Sequence, residues 1–223
     1  MKCARSWRIT RAPRPYAPLI IQNLTGQRPC ETAVGREYGN REASCHTSNQ
    51  RLYPHATSVA FASELLANGY VHAPMADSGT AKVVLEVYPH AGLVALFDLP
   101  KSLKYKKGTV AQKRTGLSAL AEHLRRLTHA SPRVNANARF NDLLSLELDG
   151  LRGRNLKAHE DRLDALFCAY LAYYFWFWGP KRNQFFGDVE NGYIANPWLL
   201  PGGIAAASSG VDQTRSRIQP RFR

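Results

Sequence analysis

The clearest pattern along the chain is a run of fourteen uncharged, almost wholly apolar residues, Ala165 to Trp178, placed directly after His159-Glu160-Asp161-Arg162-Leu163-Asp164. Leu163, Leu166, Phe167, Tyr170, Leu171 and Tyr174 recur at offsets of 3, 4, 7, 8 and 11, the period of one helical face. Nothing from Ala165 on breaks a helix until Gly179-Pro180, so the spacing predicts a helix from about Glu160 to Phe177. The run is shorter than the roughly 20 apolar residues that span a bilayer, so a core helix is expected and a membrane partner is not.

Weaker periodicities fill in the rest. Ala56 to Asn68 places Val59, Phe61, Ala62, Leu65 and Leu66 at near-helical spacing and closes on Gly69. Thr109 to Leu127 puts Leu117, Leu120, Ala121, Leu124 and Leu127 on one face and Lys113, Arg114, Arg125 and Arg126 elsewhere. Glu31 to Tyr38 reads as a short helix, and Phe140 to Leu151 adds another apolar segment. Lys82 to Tyr88, β-branched and closed by Pro89, is the best strand. Ala17 to Ile21 is a candidate buried strand, and Gly192 to Pro197 a last short strand or turn. Strands mixed with helices argue an α/β chain in which helices cover a small sheet.

A composition that is 44% hydrophobic is ample for a core. The net charge of +13 suggests a polyanionic partner. Much of the excess sits at the ends: Met1 to Arg14 holds five cations and no acid, and Gly203 to Arg223 holds four Arg against Asp212. The expected organisation is a disordered basic segment over 1–15, one domain over 16–201, and a mobile basic tail over 202–223. Cys3, Cys30, Cys45 and Cys168 form no Cys-x-x-Cys pair, which excludes a zinc or disulfide framework and fits a cytoplasmic location. The N-terminus lacks the apolar region of a secretory signal; Arg-rich and acid-free, it faintly resembles a transit peptide.

Three places carry candidate chemistry. Asp161 and Asp164 are three apart and Glu160 and Asp164 four apart, so on a helix their carboxylates meet within roughly 5 to 6 Å, where like charges repel unless a cation or shared proton intervenes. Capping of the helix start is the competing role for Glu160 and Asp161. Asp164 has Phe167, Cys168 and Leu171 as helical neighbours, so it is expected on a buried face and in need of a partner, whether Arg, backbone or metal. Glu86 shares a strand face with Val84 and Tyr88, which predicts a buried or cleft-facing carboxylate, with an edge-strand surface charge as the alternative. The polar loop Gly39 to Pro54, with Arg41, His46 and Asn49, and the lysine-rich loop Lys101 to Gly108 around Tyr105 are each a binding surface or a solvated connection.

Several stretches, taken in order, resemble a known family. They are Ala17-Pro18-Leu19-Ile20-Ile21 with Asn23; Thr25-Gly26-Gln27-Arg28-Pro29-Cys30-Glu31; Ala43-Ser44-Cys45-His46 with Asn49; Glu86-Val87-Tyr88-Pro89-His90-Ala91; Lys104-Tyr105-Lys106; Asp161 with Asp164-Ala165-Leu166; and Gly192-Tyr193-Ile194 with Pro197. The family is the domain of unknown function 429 group, described as predicted nucleases of the RNase H fold. The resemblance implies an RNase H-like mixed sheet flanked by helices, with carboxylates that hold Mg²⁺ or Mn²⁺ for phosphodiester hydrolysis. Carried over by position, Asp161 and Asp164 are helix ligands and Glu86 a strand ligand, and these three are the expected catalytic set. Arg41, His46, Asn49, Lys104 and Lys106 are the expected contacts to a nucleic-acid substrate.

The resemblance also implies strands upstream of Ala17 with an early Asp, where this chain has sixteen residues without Asp or Glu. Tyr16 stands where the family commonly has a carboxylate, and a phenol with a pKa near 10 cannot replace one at neutral pH. The chain is therefore expected to be an N-terminally truncated or degenerate member that lacks the first strands. A non-catalytic nucleic-acid-binding or scaffold remnant is the alternative to a nuclease. Lost strands expose apolar surface, which a homo-oligomer or another partner would cover.

Overall fold

Helix α6 (Gly153–Trp178) is the spine of the structure, a computed structural model that describes residues 26–49, 51–55, 57–76, 80 and 82–204. Its buried stripe, Leu156, His159, Glu160, Leu163, Phe167, Tyr170, Leu171 and Tyr174, keeps the spacing legible in the sequence. The helix starts seven residues earlier than the apolar run predicts, because Leu156 lies one heptad before Leu163 and extends the same stripe beyond the charged residues.

The other helices are α1 (Pro29–Tyr38), α2 (Thr57–Ala67), α3 (Pro89–Phe97), α4 (Val110–Arg126) and α5 (Ala138–Leu144). Pro29 and Pro89 occupy first turns, where the missing N–H costs nothing and the fixed φ favours the helix. Thr109 caps α4, its hydroxyl accepting from the Gln112 N–H while the Gln112 side chain accepts from the Thr109 N–H. Helix α3 has no polar face: every residue from Ala91 to Phe97 is buried. It crosses α6 closely at Gly92, where a Cβ would stand 3.0 Å from Leu171. No described helix is long and apolar enough to cross a membrane.

The strands are β1 (Val71–His72), β2 (Val83–Val84), β3 (Asn183–Asp188) and β4 (Gly192–Pro197). β1 pairs with β2 in parallel, and β3 with β4 antiparallel from Asn183 opposite Pro197 to Asp188 opposite Gly192. A parallel bridge between Val87 and Ala195, with the Ala195 N–H donating to the Glu86 carbonyl at 2.8 Å, links the two pairs. β4 is buried at every position. Ile194 packs into the main core with α1, α3, α4 and α6, while Tyr193 and Ala195 face a smaller cluster with Ala73, Val83, Leu85, Phe175 and Phe185. Opposite faces of one strand therefore serve two apolar clusters, as the period of two requires.

The architecture is α/β, as expected, with one correction in detail. The strand expected over Lys82 to Tyr88 is broken into a two-residue ladder at Val83–Val84 and a single bridge at Val87. The apolar segment over Phe140 to Leu151, to which the sequence assigns no element, is helical up to Leu144 as the end of α5. The strand expected at Ala17 to Ile21, Tyr16, the basic segment 1–15 and the tail beyond Ile204 lie outside the described residues.

Candidate functional site

A cleft of about 250 Å³ opens where the β2 segment turns into α3. Tyr88 and His90, on either side of Pro89, form part of its lining. Glu42, Ser44 and His46 of the loop after α1 line it as well, together with the loop from Ser102 to Lys107. The two loops are tied together beside it. The Ser102 N–H donates to the Arg41 carbonyl at 2.7 Å, and the Arg41 guanidinium donates to Asp98 at 3.0 Å and to the Leu99 carbonyl at 2.9 Å. Glu42 accepts from Lys101 at 2.7 Å and pairs with Lys104, and these hydrogen bonds push its pKa down to about 2.

His90 is fixed from three sides. Its Nδ1 lies 2.7 Å from the Ser102 hydroxyl, its ring stacks on Tyr105 with centroids 5.0 Å apart, and Tyr88 lies 5.6 Å away on centroids. Burial, reinforced by the Lys106 charge, lowers its pKa to about 4, so the imidazole is neutral at pH 7. Tyr105 is fully buried, its phenol pKa raised by burial and then by the charge of Asp164. Its hydroxyl donates to Asp164 at 2.8 Å. The second oxygen of Asp164 holds Lys106 at 2.5 Å. Asp164 is 16% exposed, at the margin of the buried stripe of α6, and its partners are a phenol and a lysine.

Glu86 sits in a different network. Arg28, 2% exposed, donates from Nε to Glu31 at 3.0 Å and in two parallel bonds to Glu86, one of 2.9 Å. Glu31, 1% exposed, also accepts from the Arg28 and Ser48 N–H groups. Burial works against the Arg28 charge, but the hydrogen bond and charge of Glu86 outweigh it and the net pKa is raised. The nearby Cys30 and Cys45 thiols are pushed up by burial to about 11 and about 12, so both are protonated at neutral pH.

Asp161 is 60% exposed and pairs with Lys157 at 2.6 Å, and the same ammonium donates to the buried Glu160 at 2.7 Å. Each carboxylate of the expected metal set therefore has its own cation: Arg28 for Glu86, Lys106 for Asp164, Lys157 for Asp161. Among the described residues no group of three or more His, Cys, Asp or Glu is arranged to hold a metal ion. As they stand, Glu86, Asp161 and Asp164 do not fit one shared Mg²⁺ or Mn²⁺ site, since each is already neutralised by a different cation that a metal ion would have to displace.

Of the expected substrate contacts, His46, Lys104 and Lys106 come together in the cleft. Arg41 stands behind it as the brace between its loops. Asn49 is buried and serves its own loop, donating to the Gly26 carbonyl at 3.1 Å and accepting from the Leu52 N–H at 2.9 Å. The pairing of His90 with Ser102 was not legible: the two are twelve apart and joined only by the tight turn that ends α3.

Matching of the chain against known families finds one described as protein of unknown function (DUF429), over residues 17–191. No curated protein and no solved structure matches.

Proposed function

The chain belongs to the family of proteins of unknown function DUF429, and we propose that its cleft binds the sugar-phosphate backbone of a nucleic acid. One observation carries this reading: Lys104, Lys106, Lys107 and His46 converge on a single cleft whose one lining acid, Glu42, is already held by Lys101 and Lys104. Lys107 makes no ion pair among the described residues. Ammonium groups gathered this way gain affinity from phosphates by releasing counterions. Neutral His90 and the partly exposed Tyr88 ring add hydrogen-bonding and stacking surface without adding charge. In favour of an RNase H-like sheet stands the meeting of parallel and antiparallel pairs around a strand covered on both faces.

Hydrolysis of the bound strand is the second reading, favoured by Asp164, which holds the cleft residue Lys106. It requires the carboxylates to give up their present partners. The two readings separate in one set of assays with labelled RNA and DNA. Backbone binding predicts a complex whose Kd rises steeply with salt and a Lys104→Ala/Lys107→Ala variant whose salt slope falls by about two. No complex at low salt overturns the proposal. Cleavage that needs Mg²⁺ or Mn²⁺ and is lost in Asp164→Asn establishes hydrolysis, and cleavage by both proteins alike removes Asp164 from it.

A further inference from the structure

The cleft does not end at the lysine loop. A second, larger hollow of about 850 Å³ shares Ser102, Leu103, Lys104 and Lys107 with it and runs along α4 past Ala111, Gln112, Thr115 and Ala119. The shared residues form a ridge, and Lys104 and Lys107, both exposed, stand on it between the two hollows. The depth of the ridge is set by Gly116: a Cβ there would lie 2.4 Å from the Lys104 carbonyl oxygen and 2.8 Å from the Tyr105 Cα. Only glycine lets α4 approach the loop this closely, which brings α4 against the residues that the two hollows share.

We infer that the two hollows form one track for a single nucleic-acid strand, with consecutive phosphates at the Lys104–Lys107 ridge and the strand continuing along α4. This rests on the backbone-binding reading above and adds the class of substrate to it. The lining changes along the track. The first hollow is polar, aromatic and basic, while the second is made of the small side chains of α4 with Gln112 and the ridge lysines as polar contacts. Phosphates spaced along one strand match cations that line both hollows, Lys107 and Lys104, the latter exchanging its present partner Glu42 for phosphate. The track offers one row of cations and so suits one backbone, where a duplex presents two at once. A single strand threads it and lays bases and sugars against the smooth face of α4, where contacts tolerate any sequence.

The test is fluorescence anisotropy with labelled DNA and RNA at low salt, using a dinucleotide, a single strand of about twelve nucleotides and the same sequence as a duplex. The expected result is single-strand binding at least about tenfold tighter than duplex, with affinity rising from the dinucleotide to the longer strand. Thr115 is exposed on α4 within the second hollow. Thr115→Trp places a bulky ring in the path along α4 without touching the core, and it is expected to shrink the ratio between the two single-strand affinities. A thermal melt of the variant that matches wild type shows that the fold is intact. Equal binding of strand and duplex, or a length ratio that Thr115→Trp leaves unchanged, overturns the single-strand track. In either case weakening by Lys104→Ala/Lys107→Ala keeps the backbone-binding reading standing. No binding of any oligonucleotide overturns both. The DNA and RNA arms report separately on whether the 2′-hydroxyl contributes.

Discussion

Two carboxylates that the sequence presents as equivalent, Glu86 and Asp164, end in opposite settings. Glu86, itself 30% exposed, is held by a buried arginine in a closed network in which one guanidinium satisfies two acids, and Arg28 and Glu31 are almost wholly buried. Asp164 belongs to an open one, where a buried phenol holds one oxygen and the half-buried Lys106 at the cleft holds the other. The planar fork of arginine suits a bidentate, permanent pair, while lysine is a point charge that can exchange partners. The closed network therefore fixes the path of the chain, clamping the start of α1 and the Ser48 loop to the segment after β2. The open one keeps a cation available where a ligand arrives.

The largest expected effect breaks the closed network. Arg28→Met leaves Glu31 and Glu86 without a cation, and loss of one partner in a buried ion cluster costs about 3 to 5 kcal/mol. Urea denaturation measures it. Adding Glu31→Gln and Glu86→Gln to the variant should restore a good part of the loss, because the penalty lies in the orphaned charges rather than in the missing arginine. A single-variant loss under about 1 kcal/mol would mean that water reaches the network and that the contrast with Asp164 is false.

The open side responds to pH through His90. Its folded pKa of about 4 lies below the 6.5 of an exposed imidazole, owing to burial and then to Lys106, with Asp164 opposing and His46 and Lys107 adding to the shift. Between those two values the unfolded chain takes the proton first, so stability is full above about pH 6.5 and falls as pH drops toward 4. The full effect is about 3.5 kcal/mol at about 1.4 kcal/mol per pKa unit, of which roughly 2.5 kcal/mol falls between pH 7 and pH 4.5. His90→Phe keeps the stack on Tyr105 but removes the titration, so the stability difference between pH 7 and pH 4.5 should be smaller in the variant. An unchanged difference would place the pH dependence elsewhere.

How much of this was legible in the sequence depended on whether the signal was periodic. The stripe of α6 and the two-faced pattern of α4 are amphipathic, and both were readable to within a few residues or, at the start of α6, seven. Helix α3 was not, because a helix buried on every side has no polar face to set a period, and Pro89-His90-Ala91-Gly92 reads as an ending rather than a beginning. β3 was missed for a related reason: Asn183, Gln184 and Gly187 weaken its strand composition, and its pairing with β4 supplies what propensity does not. In the site, the lysines and His46 could be found as a composition of loops. The partners of the acids could not, since Arg28 and Glu86 are 58 apart and Tyr105 and Asp164 are 59 apart, and only the fold selects which cation meets which carboxylate.

Asp164→Asn sharpens the comparison at intermediate size. The Tyr105 hydroxyl keeps an oxygen acceptor, so the main loss is the partly exposed pair with Lys106, about 1 kcal/mol of stability. The same change removes a negative charge beside the cleft and releases Lys106. Oligonucleotide affinity at low salt should rise about threefold, with a steeper salt dependence. Weaker binding in this variant would show that Asp164 serves the ligand directly.

The smallest expected effect is at Asp161, three residues away on the same helix. Its carboxylate is 60% exposed and its one ion pair is with Lys157, itself 59% exposed and also held by Glu160. An exposed i,i+4 pair contributes about 0.3 to 0.5 kcal/mol, so Asp161→Asn should change stability by no more than that and leave oligonucleotide affinity within about twofold. The contrast with Asp164 is the informative quantity, because a metal site built on the pair of aspartates would make the two substitutions equivalent. If Asp161→Asn and Asp164→Asn abolish the same Mg²⁺-dependent cleavage, Lys157 and Lys106 are stand-ins for a shared ion on this helix. If only Asp164→Asn changes the behaviour of the cleft, the helix carries one functional carboxylate, and its neighbour is a solvated charge.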